Sequence, residues 1–142
     1  MKNLFTFLIL LINLTLSAQK EKVVGEYKLT FETKTADTFK YELTLNSDGS
    51  FAFHYYSNIK LGVPPEKNIF GKGEWTIENN LISFVSDKKN DIDEKYTLNF
   101  SDSKARFITK SPRDKSDKII ETKLQFLTSE IPWMSRLKIL KQ

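Results

Sequence analysis

His54, in "FAFHYYS", is the one imidazole in a chain of 142 residues that contains no cysteine. Nucleophilic hydrolysis needs a base held against a serine or a thiol. Phe53 and Tyr55 carry the inward parity of an alternating segment, so His54 is expected to point outward as a surface residue. One histidine and no thiol leave zinc and copper without their usual donors. Oxygen donors gather in "DKKNDIDEK" and "TLNSDGS", yet the first lacks the glycine turn of a calcium loop, and the second has Thr44 where its first carboxylate belongs. Glycoside hydrolysis would need two inward carboxylates, whereas Glu26, Glu32, Glu42, Glu74 and Glu78 all have outward parity. No catalytic residue, metal site or cofactor is therefore expected, and the chain reads as a non-enzyme.

The elements that carry these residues alternate with period two. In "EYKLTFE", Tyr27, Leu29 and Phe31 share one face; in "FKYELTLN", Phe39, Tyr41, Leu43 and Leu45 do. Such segments are half-buried strands. The pattern predicts strands near 22–33, 38–46, 50–57, 70–78, 81–86, 94–100, 104–110 and 118–128, with a ninth in "RLKILK". Asp48-Gly49, Asn79-Asn80 and "SDSK" supply tight turns between them. After Pro132, a short turn and a strand are preferred to a helix carrying Trp133, Leu137 and Leu140 on one face. Eight or nine antiparallel strands joined mostly by hairpins hide their edges by closing, so the expected fold is an all-β, antiparallel up-and-down β-barrel, with a flattened sandwich as its rival.

If the strands run alternately up and down, the connections sort by end. One end would receive "NSDGS", "NN", "SDSK" and the link before Pro132. The other would receive "TKTAD", the long "SNIKLGVPPEKNIF", "DKKNDID" and "SPRDKSD". The expectation is a cup whose long loops form the entrance. Gly25-Glu26-Tyr27 would then lie at the closed base, where glycine permits close backbone approach and the ring plugs the bottom.

That first strand resembles the lipocalin Gly-x-Trp signature with Tyr27 in place of Trp, and the chain from 19 to 142 is similar in pattern to bacterial lipocalin-like (calycin-type) secreted domains. Gly73-Glu74-Trp75 matches the letters but runs the other way, a local echo. The resemblance implies a small apolar ligand, or a binding role without catalysis. Of the eighteen Phe, Tyr and Trp residues only Phe5 and Phe7 precede position 19. An eight-stranded barrel is just wide enough for such rings to line a cavity or to fill it. Filling near the base is expected, with any pocket shallow and near the rim, lined by Phe31, Phe39, Tyr41, Tyr55, Tyr96 and Ile120. The alternative to a ligand-binding cup is a cell-envelope interaction module with a fully packed barrel, whose 57–70 loop meets another protein.

"MKNLFTFLILLINLTLSAQ" has Lys2, an uncharged apolar run, then Ser17 and Ala18, the form of a signal peptide cut after Ala18. The expected destination is the periplasm or the exterior, with no stable membrane anchor left after cleavage. The remaining 124 residues suffice for one barrel domain without disulfides. Net charge is +4, or +3 without Lys2, with acids and bases interspersed. No nucleic-acid partner is expected from such a surface.

Overall fold

The computed structural model describes residues 17–142; the first sixteen residues, most of the expected signal peptide, lie outside it. Nine strands form: β1 (Gly25–Glu32), β2 (Thr38–Leu45), β3 (Ser50–Asn58), β4 (Glu66–Glu78), β5 (Leu81–Val85), β6 (Tyr96–Leu98), β7 (Ser103–Ile108), β8 (Lys123–Thr128) and β9 (Lys138–Lys141). Eight of them close in the order β1-β2-β3-β4-β5-β7-β8-β9, with β9 returning antiparallel to β1 at Tyr27↔Lys141 and Lys28↔Leu140. The expected all-β, antiparallel barrel of up-and-down neighbours is the fold. The tail after Pro132 is a turn over 131–136 followed by β9, and that strand completes the ring.

β6 departs from expectation. "YTLNF" alternates like a wall strand, yet β6 stands outside the ring and pairs in parallel with β4 at Phe70↔Tyr96, while β5 pairs directly with β7. The 86–102 segment is tied down through buried Ser86, whose hydroxyl donates to the Lys72 carbonyl at 2.8 Å and accepts from the Phe100 amide at 3.1 Å. Phe100 turns inward beside Gly71, where a Cβ would stand 2.6 Å from its ring.

Taking β6 out of the ring reverses every later connection. "SDSK" and the link at Pro132 were expected beside the tight turns, but both lie at the rim with the 33–37 turn and the 59–65 loop. "SPRDKSD" lies at the base instead: the Phe107 amide donates to the carbonyl of Asn80, in the tight β4–β5 turn, at 2.8 Å. Three strand starts also differ, the first being β1, which begins at Gly25 instead of 22 because residues 17–23 are helical. β4 begins at Glu66, because the polar "EKN" extends against β3 from Asn58↔Glu66 onward without any apolar alternation to announce it. β8 begins only at Lys123, leaving Ile119 and Ile120 in the base loop, 93% and 38% exposed.

Rings fill the interior. Phe84 packs on Phe51 and Phe126 at 5.1 and 5.5 Å between centroids, and Phe100 joins Phe51 and Phe53 at 5.0 and 5.1 Å. At the base, residues 17–23 are helical and bury Val23, whose carbonyl accepts the Tyr27 hydroxyl at 2.5 Å. Lys20 lies over the Trp75 ring, and the Trp75 indole N–H donates to the Asn46 carbonyl at 3.1 Å. The base is sealed as expected, with Tyr27 fully buried in it. Gly25 and Gly73, the two openings of the Gly-Glu-aromatic pattern, share positive φ angles of 145° and 158°. The echo therefore marks two places of close approach in strands of opposite direction.

Candidate functional site

The walls are unequal in height. β1 to β4 have eight to thirteen residues, whereas β5, β7, β8 and β9 have four to six. β1 stays paired with β2 as far as Glu32↔Thr38 but leaves β9 after Lys28. β4 stays paired with β3 to its first residue but meets β5 only from Glu74 onward. Four strands thus rise past the packed interior at the rim, and inward parity on β1, β2 and β3 carries aromatic rings above it.

Those rings form one connected shelf. Phe31 and Phe39 face each other across β1 and β2 with centroids 5.1 Å apart and planes 23° apart. Phe31 also stacks on Tyr41 at 6.2 Å, and Tyr41 meets Tyr55 of β3 at 5.1 Å. Trp133, from the turn before β9, closes the far side: it lies 4.9 Å from Tyr55, 5.8 Å from Tyr41 and 6.0 Å from Phe53. Exposure grades upward, from Tyr41 at 7% to Phe31 at 42%. Four of the six residues expected to line a rim pocket, Phe31, Phe39, Tyr41 and Tyr55, are therefore brought together.

Tyr96 and Ile120 are not among them. Tyr96, on β6, belongs to an outer-wall cluster in which Lys72 and Lys95 lie 4.7 and 5.2 Å from its ring and Phe70 lies 6.1 Å away. Ile120 sits at the opposite end of the barrel. Trp133 was missed as a shelf residue because a lone ring after Pro132 fits a helix face as readily as a rim. Its one signal is that the chain must turn there to start another strand.

Beside the shelf, the lip carries a recess of about 520 Å³ lined by Thr35, Asp37, Ile59, Lys60 and Leu61. The 59–65 loop over it is held in shape. Ile59 donates to the Pro65 carbonyl at 2.8 Å, Gly62 to the Ile59 carbonyl at 2.8 Å, and the Lys60 amide to the Asp37 carboxylate at 3.0 Å. Hydrogen bonds from the Thr35 hydroxyl and from Lys60 hold that carboxyl below its usual range. Leu61 and Val63 nonetheless stand 95% and 99% exposed.

The shelf has little polar chemistry. Neither the Tyr41 nor the Tyr55 hydroxyl has a hydrogen-bond partner among the described residues, and burial followed by the neighbouring Tyr55 pushes the Tyr41 phenol above its usual value. His54 faces outward as expected, with Nδ1 3.3 Å from the Glu42 carboxylate and Nε2 2.8 Å from Asn68 Oδ1, its ring flat on Phe70 at 4.5 Å. Among the described residues no three His, Asp or Glu side chains gather as a metal site would require.

Comparison with protein-family models, with curated proteins and with solved structures finds no match for this chain. The site thus rests on its own geometry.

Proposed function

We propose that the chain is an exported, lipocalin-like, non-catalytic barrel that holds a small, mostly apolar ligand on the aromatic shelf at its rim. The observation that carries this reading is the stack of Phe31, Phe39, Tyr41, Tyr55 and Trp133 standing above a filled interior with its outermost ring in solvent. Small-molecule sites are mostly apolar concavities with a few placed polar groups. The ligand reading in its deeper form, a cavity running down the barrel, is not the one supported, because core rings occupy that space.

Uptake of a naphthalene sulfonate dye tests the proposal. Wild type should bind at one saturable site. Phe31→Ala and Trp133→Ala should weaken binding about tenfold or more, the effect of losing on the order of 1.4 kcal/mol of contact. Tyr96→Leu, on the outer wall, should leave it unchanged. Phe31→Ala should shift the melt by only a few degrees, because its ring gives up little packing. If Tyr96→Leu abolishes uptake while Phe31→Ala does not, the shelf is the wrong place.

A second reading, an envelope module that docks on another protein, is favoured by Leu61 and Val63. A loop pinned by three hydrogen bonds holds both in water, and exposed apolar groups of this kind mark interaction sites when they are contiguous. Under that reading wild type ignores the dye, and Leu61→Ser with Val63→Ser releases the protein from a partner without moving the melt.

Export belongs to the same proposal. The mature chain should begin at Gln19, as glutamine or its cyclised form, in an intact-mass measurement on the exported protein. Lys20 and Val23, which help seal the base, lie after the cut and are kept. Recovery of the uncut chain from the membrane fraction would refute this.

A further inference from the structure

We infer that the ligand of the rim is a flat, conjugated ring compound bearing a hydrogen-bond acceptor, and that the hydroxyls of Tyr41 and Tyr55 together grip that acceptor. The inference rests on the rim-binding reading and narrows it.

Two independent features point to this chemistry. The first is ring geometry. Phe31 lies 23° from the plane of Phe39 and 16° from that of Tyr41, while Trp133 lies 30° from Tyr55 and 28° from Phe53. Near-parallel rings in offset stacks present flat faces, and a flat guest extends such a stack with contact that a saturated body of equal size cannot make. The exposed face of Phe31 is where that extension begins.

The second feature is the pair of unanswered hydroxyls. The Tyr41 ring is buried to 7% exposure, while its hydroxyl reaches the solvent side of the shelf, since no buried side-chain nitrogen or oxygen among the described residues lacks a partner. Tyr56 donates to Glu66 and Tyr27 to the Val23 carbonyl. Tyr41 and Tyr55, with rings 5.1 Å apart, have none among the described residues. The shelf around them offers Phe31, Phe39, Phe53 and Trp133, and no side-chain carboxylate takes their protons. Each phenol oxygen carries one proton to donate as well as lone pairs to accept with, and a guest oxygen such as that of a ketone or carboxylate can take both protons at once in hydrogen bonds. A guest with donors alone would leave both protons unanswered, and a hydrocarbon would displace their water without replacing it.

Equilibrium dialysis of the mature protein with three probes tests both halves. 2-Acetylnaphthalene carries ring and acceptor, 2-ethylnaphthalene the ring alone, and 2-acetyldecalin the acceptor on a saturated frame. Wild type should hold 2-acetylnaphthalene at least about tenfold more tightly than either of the others. In the double variant Tyr41→Phe, Tyr55→Phe, its advantage over 2-ethylnaphthalene should fall to about one, with 2-ethylnaphthalene itself held as in wild type. Equal binding of the two naphthalenes by wild type, or an advantage that survives the double variant, overturns the phenol grip and leaves the rim reading standing. Equal binding of 2-acetyldecalin and 2-acetylnaphthalene overturns the flat-ring half. If none of the three binds and the dye is ignored too, the rim reading itself falls. The wild-type comparison needs no variant, so the inference is decided even if the double variant fails to fold.

Discussion

Tyr27→Ala is expected to lower the unfolding free energy by about 3 to 5 kcal/mol, the usual range for emptying a large aromatic site in a packed core. Tyr27 has no solvent-exposed surface, and its hydroxyl bonds the carbonyl that ends the 17–23 helical turn. Truncation therefore loses both the plug and the tie between base and helix. Trp75→Ala belongs to the same class, since Trp75 is buried and bonds the β2–β3 turn. Denaturant midpoints at neutral pH check both, and losses below about 1 kcal/mol at both positions would mean that the base is not packed as described.

The same side chain sets an alkaline limit. Burial pushes the Tyr27 phenol well above the usual tyrosine value of about 10. A group whose folded value is raised gives stability that is fully present below its unfolded value and is lost as pH climbs toward the folded one. The window thus opens near pH 10 and extends upward, at about 1.4 kcal/mol per pH unit. Tyr41 shifts in the same direction through its own burial. Melting at pH 9 and pH 11 should show a smaller drop for Tyr27→Phe than for wild type; equal drops would remove Tyr27 from the account.

Gly73→Ala is expected to cost at least about 3 kcal/mol. A φ of 158° strains any side chain, an effect of order 1 to 3 kcal/mol. A Cβ there would also run into the Val85 carbonyl across the β4–β5 pair and stand 3.0 Å from the Phe51 ring, adding an overpacking penalty of similar size. Backbone on the neighbouring strand cannot swing aside as a side chain can. Gly71→Ala is the comparison: its new methyl would meet side chains only, the buried Phe100 ring at 2.6 Å and Leu98 Cβ at 3.1 Å, with no strained φ and no backbone atom in the way, so its loss should be the smaller in the same denaturant series. The reverse order would mean that Gly73 is tolerated for room alone.

Much of this fold was legible because period-two alternation reports directly which face of a segment is buried. Alternation puts Phe31, Phe39, Tyr41 and Tyr55 on inward faces, and register makes Phe31 and Phe39, and Tyr41 and Tyr55, direct neighbours. Alternation does not report which strand lies alongside. Tyr96, Leu98 and Phe100 alternate as well as any wall strand, yet the segment crosses outside the ring, because Ser86 and Gly71 give it a seat that only the folded neighbours define. Counting that segment as a wall strand puts the connections at 101–104, 109–122 and 129–137 at the wrong ends, and Ile120 with them. Glu66, Lys67 and Asn68 extend β4 with no apolar signal, since all three side chains are exposed at the rim even though Ser57, the partner of Lys67, is buried.

The unequal wall heights separate two regions by their opening free energy. Amide groups low on β3, β5 and β8 are enclosed by the ring-filled core, so they are released to solvent only when the whole barrel unfolds. Those on the upper half of β1, and on β4 only over 66–69 where β6 no longer pairs with it, lose neighbours on one side and can exchange through local fraying. The rim can therefore breathe and tolerate changes in the 59–65 loop while the lower barrel keeps its cooperativity, and the cost of reshaping the entrance is not charged against the stability of the fold.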